Sequence, residues 1–206
     1  SVILPALNEE TTIGICIGKI QQVFRSMGIR GEVIVSDSST DATAEIAQSM
    51  GAIIVHPEHR GYGYAYLEAF RHARGRYIVI GDADNTYDFL ELPLLIRKLD
   101  EGADLVIGSR FKGEILDGAM IPLHRYIGNP LLTWVLNKVF GTDFSDTHSG
   151  FRAIRADSLK RLNLQSWGME FASEMLIKAS REGLTITEVP ITYHPRGTPS
   201  KLSSYS

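Results

Sequence analysis

Tyr77-Ile78-Val79-Ile80-Gly81-Asp82-Ala83-Asp84 joins an unbroken apolar run to a glycine and two carboxylates. An apolar run this short, with no polar alternation, reads as a strand buried on both faces. Working outward, similar β-branched runs stand at Val2-Ile3-Leu4, Val33-Ile34-Val35, Ile53-Ile54-Val55 and Leu105-Val106-Ile107. Between the first two, Ile13, Ile17, Ile20, Phe24 and Met27 share one helical face. Residues 42–50 follow a candidate N-cap at Thr40 or Asp41, and residues 64–73 and 90–99 fill the next gaps. Strands and helices alternating at this spacing predict an α/β fold with a mostly parallel central sheet flanked by helices, joined by right-handed crossovers.

Beyond about residue 110 the pattern loosens. Residues 112–122 are irregular and contain glycine. Residues 130–140 are apolar on nearly every side, through Leu131, Leu132, Trp134, Val135, Leu136, Val139 and Phe140. The run is shorter than the ~20 residues that cross a bilayer. It is expected as a buried helix; the alternative is a helix lying on a membrane surface or against further segments. Residues 170–182 predict a helix and 185–193 a strand, before a polar tail from Pro195. The chain opens on Ser1 with no leader and closes on Ser206 with no evident stop, as expected of a piece of a longer protein.

Composition narrows the function. The 206 residues are 44% hydrophobic and 22% charged, which suits one soluble-type globular domain. Lys plus Arg is 21 against 24 Asp plus Glu, a net charge of -3, so generic nucleic-acid binding is not expected. The single cysteine, Cys16, excludes an internal disulfide framework and reads as a small core residue. The six histidines show no H-x-x-x-H spacing, and no P-loop or G-x-S-x-G elbow occurs. Gly61-Tyr62-Gly63-Tyr64-Ala65 lacks the third glycine of a dinucleotide fingerprint.

In an open parallel sheet, ligands bind beyond the carboxyl ends of the strands. Those places hold Pro5, Leu7, Asn8 and Glu9; Asp37, Ser38, Ser39 and Asp41; Gly81, Asp82, Ala83 and Asp84; and Gly108, Ser109 and Arg110. Residues two apart on an extended chain point the same way. Asp82 and Asp84 can therefore share a hard divalent ion, Mg²⁺ or Mn²⁺, which takes one or two carboxylates and completes its shell with phosphate and water. The competing reading is that both merely cap the next helix.

In order along the chain, Ile3-Leu4-Pro5-Ala6-Leu7-Asn8-Glu9-Glu10, Asp37-Ser38-Ser39-Thr40-Asp41, Arg60-Gly61-Tyr62-Gly63 and Gly81-Asp82-Ala83-Asp84 resemble the motifs of family-two glycosyltransferases of the GT-A fold. Gly108-Ser109-Arg110-Phe111, Asp146 and Ser149-Gly150-Phe151-Arg152 are similar to the branch of dolichyl- and polyprenyl-phosphate mannose and glucose synthases.

The resemblance implies an inverting, metal-dependent hexosyltransferase. Its donor would be a nucleotide-sugar, UDP-glucose ahead of GDP-mannose, and its acceptor a polyprenyl phosphate. Pro5, Leu7, Asn8, Glu9, Asp37, Gly61, Asp82 and Ala83 would bind the donor. Asp84, with Asp82, would bind the metal. Thr86 stands where some relatives place a further ligand. Arg110, Arg125 and Arg196, with Ser149, would grip acceptor phosphate, as planar guanidinium groups do well. Asp146 is the candidate base for a hydroxyl acceptor, or otherwise a positioning group, with Glu170 and Glu174 behind it.

One domain is expected over 1–206. Residues 1–110 would hold the donor, 111–195 the acceptor, and 196–206 would form a mobile polar tail. Location at the cytoplasmic face of a membrane, with membrane-surface contact, is implied. The alternatives are a saccharide or other soluble hydroxyl acceptor, or a non-catalytic nucleotide-sugar-binding module.

Overall fold

The computed structural model describes residues 1–197. Among them the strands are β1 (Val2–Ala6), β2 (Val33–Asp37), β3 (Ile53–Val55), β4 (Tyr77–Ile80), β5 (Leu105–Ile115), β6 (Arg152–Arg155) and β7 (Ile186–Tyr193). They form one sheet in the order β3-β2-β1-β4-β6-β5-β7. β1, β2, β3 and β4 pair in parallel, as do β5 and β7; β6 runs antiparallel between β4 and β5.

Helices α1 (Ile13–Met27), α2 (Thr43–Ser49), α3 (Tyr62–Phe70), α4 (Leu92–Asp100), α5 (Asn129–Phe140), α6 (Ala156–Leu162) and α7 (Phe171–Arg181) connect the strands. Alternate strand residues face opposite ways. Val2, Leu4, Val79 and Val106 therefore pack with Ile13, Ile17, Ile20, Leu95 and Leu99 of α1 and α4. Ile3, Ile78, Ile80, Leu105 and Ile107 pack on the other face with Tyr66, Phe171, Met175 and Ala179 of α3 and α7. Both faces are covered, which is why these strands carry no polar alternation.

Two expectations need correction, and one strand was not foreseen. The segment 112–122 is not irregular throughout: β5 continues to Ile115, with a register shift between Ser109 and Glu114. A Cβ on Gly113 would lie 2.0 Å from the Ile191 carbonyl oxygen, so only glycine permits this pairing. Second, α5 is not buried: only Thr133 of its twelve residues is. The unforeseen strand is β6, which carries Arg152, whose charge disguises a strand. At the start of α2, Asp41 is the residue that caps, its Oδ1 accepting from the Thr43 N–H at 3.0 Å.

Candidate active site

The acidic pair sits where β1 and β4 lie side by side and the strand order changes direction. A cleft of about 550 Å³ opens there, within the size range of small-molecule sites. Pro5 lines it from β1, Leu7 and Glu9 from just beyond that strand, Tyr62 from α3, and Asp82 through Asp84 from the turn after β4; Arg110, His124, His148 and Arg196 close it.

Asp84 is fixed by its own turn. Its Oδ1 accepts the Thr86 N–H at 3.0 Å and the Thr86 hydroxyl at 2.6 Å. Its Oδ2 lies 3.2 Å from Nε of Arg196. Asp82 Oδ1 accepts from the Tyr62 hydroxyl at 3.1 Å. Neither aspartate caps a helix; Asp88 caps the short 3-10 turn Phe89–Glu91 that leads into α4, accepting from the Leu90 N–H at 3.2 Å. Burial, with the Asp84 carboxylate beside it, pushes Asp82 up to about 7. Crowded carboxylates of this kind suit a divalent cation. Among the described residues no group of three or more His, Cys, Asp or Glu side chains could cage one. A divalent ion there would be held by one or two carboxylates and completed by substrate phosphate.

Behind the pair, the Cys16 thiol donates to the Ala83 carbonyl oxygen at 3.5 Å. Burial pushes this thiol up to about 12, so it packs and does not attack. Glu9 is buried, and its Oε1 accepts from Nη2 of Arg196 at 2.9 Å. Arg196 thus bridges Glu9 and Asp84, and its segment is not part of a loose tail at this point. The remainder of the predicted tail, including Ser200 and Lys201, lies outside the described residues. Asp37 ends β2 beside Ala6. Its buried Oδ1 has no hydrogen-bond partner among the described residues.

Arg110 reaches the cleft from β5 and is gripped from behind. Asp146 Oδ2 accepts from Arg110 Nε at 2.7 Å, and Oδ1 accepts from Nη2 at 2.8 Å. Asp146 is fully buried, so it positions an arginine and cannot reach an acceptor as a base. Glu188 holds the same loop, accepting from the Ser145 and Asp146 N–H groups at 2.9 and 3.2 Å.

Other sequence candidates fall elsewhere. Ser149 is buried and its hydroxyl donates to the Gly108 carbonyl oxygen at 2.5 Å, pinning two loops. Arg125 does not line the cleft; its guanidinium lies 5.6 Å from the Tyr126 ring centre. Asn8 adopts a left-handed φ of 55° and its side-chain oxygen accepts from the Thr40 N–H, tying two loops outside the cleft. Gly61 admits close packing: a Cβ there would lie 2.5 Å from the Trp167 carbonyl oxygen. Glu174 caps the Gln165 and Ser166 N–H groups, and Glu170 accepts from the Gly168 N–H.

Sequence reasoning missed Tyr62, Tyr87, His124, Asn129, His148 and Tyr193, which also line the cleft. Tyr62 stood inside the quoted Gly61-Tyr62-Gly63 turn and His148 between Asp146 and Ser149, so motif position could have found both. The other four are gathered only by folding. Burial, then the Arg152 charge, hold the His148 ring below its ordinary range.

A mostly parallel sheet with paired aspartates at its switch point and arginines opposite has the architecture of a GT-A glycosyltransferase. The chain belongs to glycosyl transferase family 2, whose family model matches residues 1–162. A low-salt glycan biosynthesis hexosyltransferase of Haloferax volcanii is 52% identical over 206 residues, covering 100% of this chain and 50% of that protein. The chain thus spans about half the length of that relative. A dolichyl-phosphate hexose transferase of the same organism is 32% identical, with 100% of this chain and 87% of that protein covered. Glucosyl-3-phosphoglycerate synthase of Mycobacterium tuberculosis, solved with Mn²⁺, uridine diphosphate and phosphoglyceric acid, is 29% identical with a TM-score of 0.77. That match covers 96% of this chain and 70% of the solved one.

Proposed function

We propose that the chain transfers a hexose from a nucleotide-sugar, UDP-glucose ahead of GDP-mannose, to a polyprenyl phosphate. The observation that carries this reading is the cleft in which Asp82 and Asp84 share walls with Arg110 and Arg196. The donor half of the reading is supported by the Mn²⁺ and uridine diphosphate held by the mycobacterial relative. Mg²⁺ or Mn²⁺ held by Asp84, with Asp82 beside it, would supply charge against the leaving diphosphate. The rest falls to protein groups. The unpaired Asp37 Oδ1 is suited to accept a base N–H. Pro5, Leu7 and Ala83 give the donor an apolar wall.

For the acceptor, Arg110 is aimed by Asp146, while its Nη1 makes no bond to that carboxylate. A phosphate acceptor is already anionic near neutral pH and needs aiming more than deprotonation. The burial of Asp146 favours that over a hydroxyl acceptor, which would need a base within reach. Attack in a single displacement would invert the anomeric centre. A phosphate on a small soluble acid, like the phosphoglyceric acid of the mycobacterial complex, would meet the same arginines, and turnover of UDP-glucose with each acceptor in turn distinguishes the two.

The test is calorimetric titration with UDP and GDP, each with and without Mn²⁺, on wild type and Asp84→Ala. Metal-dependent binding of UDP, lost in the variant, is expected. Binding of neither nucleotide refutes the reading.

A further inference from the structure

Helix α5 is built inside out. Its inward stripe is Asn129, Thr133, Leu136, Asn137 and Phe140, three of them polar. The Thr133 and Thr147 hydroxyls are 3.0 Å apart. The Asn137 amide donates to the Phe144 carbonyl oxygen at 2.8 Å and accepts from the Thr142 hydroxyl at 2.9 Å. Its outward side chains are Leu131, Leu132, Trp134, Val135 and Val139, between 41% and 65% exposed. The preceding turn adds Ile121, Leu123, Tyr126 and Ile127, between 57% and 70% exposed. A helix packed on a water-soluble core shows the opposite polarity, and a contiguous exposed apolar face marks a docking surface.

Charge, residue type and position select the occupant. Between Asp117 and Asp143 there is no acidic residue, while Arg125 and Lys138 are present, in a chain of net charge -3. That local excess complements anionic headgroups. Trp134 and Tyr126 are side chains that favour a membrane–water boundary. Ile121, His124 and Asn129 of the same segment line the cleft, so the apolar face and the cleft entrance adjoin. No helix among the described residues is long and apolar enough to cross a membrane, so α5 can lie on a bilayer but not span one.

We propose that the 121–139 face seats this domain on an anionic lipid surface, with α5 in the plane of the headgroups and the cleft opening at the bilayer. Its purpose, though not its geometry, rests on the lipid-phosphate acceptor proposed above.

The test uses the 206-residue chain carrying Trp167→Phe, which leaves Trp134 as the one tryptophan of the original two. With phosphatidylglycerol vesicles its emission is expected to shift to the blue. Co-sedimentation should be about tenfold stronger than with phosphatidylcholine vesicles, because Arg125 and Lys138 each add attraction. Leu131→Ser with Val135→Ser, both at exposed positions, should weaken vesicle binding about tenfold or more and leave Mn²⁺–UDP titration unchanged. Emission indifferent to vesicles overturns the proposal. So does a concentration-dependent dimer that the double variant abolishes, since the face would then belong to a second copy. Failure of nucleotide binding with vesicle binding intact would sink the transferase reading alone.

Discussion

Replacing Asp146 by alanine should cost more stability than removing any carboxylate on the surface. Asp146 is 0% and Arg110 7% exposed. The carboxylate accepts three N–H groups of Arg110: Nε at 2.7 Å, Nη2 at 2.8 Å and the backbone N at 3.1 Å. Removing it strands a buried cation, and breaking such a pair from one side costs about 3–5 kcal/mol. With a urea dependence of about 2 kcal/mol/M, the unfolding midpoint should fall by about 1.5–2.5 M. Asp157→Ala removes an acid of the same type whose partner Lys160 is 79% exposed, and the midpoint should barely move. The paired replacement Arg110→Met with Asp146→Leu should recover most of the lost stability, since apolar groups of similar volume carry no desolvation cost. It should not recover transfer, because the guanidinium is gone. An Asp146→Ala midpoint within about 0.5 M of wild type would show that the pair is not held as described.

Asp82 sets a pH dependence. Its pKa is raised to about 7, so a proton must leave before a cation can use it, and Mn²⁺ affinity should fall about tenfold per pH unit below 7. Without metal the sign for folding is opposite. The contribution of a raised carboxylate is fully present below its unfolded value, near 3.9, and is lost as pH rises through about 7. Asp82→Asn should flatten both profiles in calorimetry and urea titrations; unchanged profiles count against the assignment. Arg196→Ala removes the guanidinium that lies 3.2 Å from Asp84 Oδ2. It should tighten Mn²⁺ binding in the absence of donor while slowing transfer, and weaker Mn²⁺ binding would contradict the contact. Gly63→Ala places a Cβ 2.1 Å from the Ser166 carbonyl oxygen. It should cost about 1–3 kcal/mol in chemical denaturation, and a neutral result would mean that α3 and the 166–167 turn separate easily.

The acidic wall of the cleft was legible because local chemistry marks it. β1 and β4 are short apolar runs, and Pro5, Glu9, Asp82 and Asp84 at or just past their carboxyl ends line the cleft, whereas Asp37 ends β2 without lining it. The residues expected at an acceptor were less legible because they act at long range. Asp146 and Ser149 have the right types for contact with substrate, yet each is spent inside: on Arg110, and on the Gly108 carbonyl oxygen. Nothing local distinguishes a carboxylate that faces a cleft from one that holds an arginine 36 residues away.

The same division holds for the fold. The sequence by itself determined the alternating α/β plan, because hydrophobic periodicity is written in neighbouring residues. Only the tertiary structure decided β6 as a strand, since Arg152 can be buried there once the carbonyl oxygens of Ser149, Thr147 and Ala172 converge on its guanidinium. It also decided which way α5 faces. A largely apolar helix can be turned either way, and Asn129, Thr133 and Asn137 settle the matter by facing inward, Thr133 and Asn137 on partners that folding brings to them, while Lys138 stays outside.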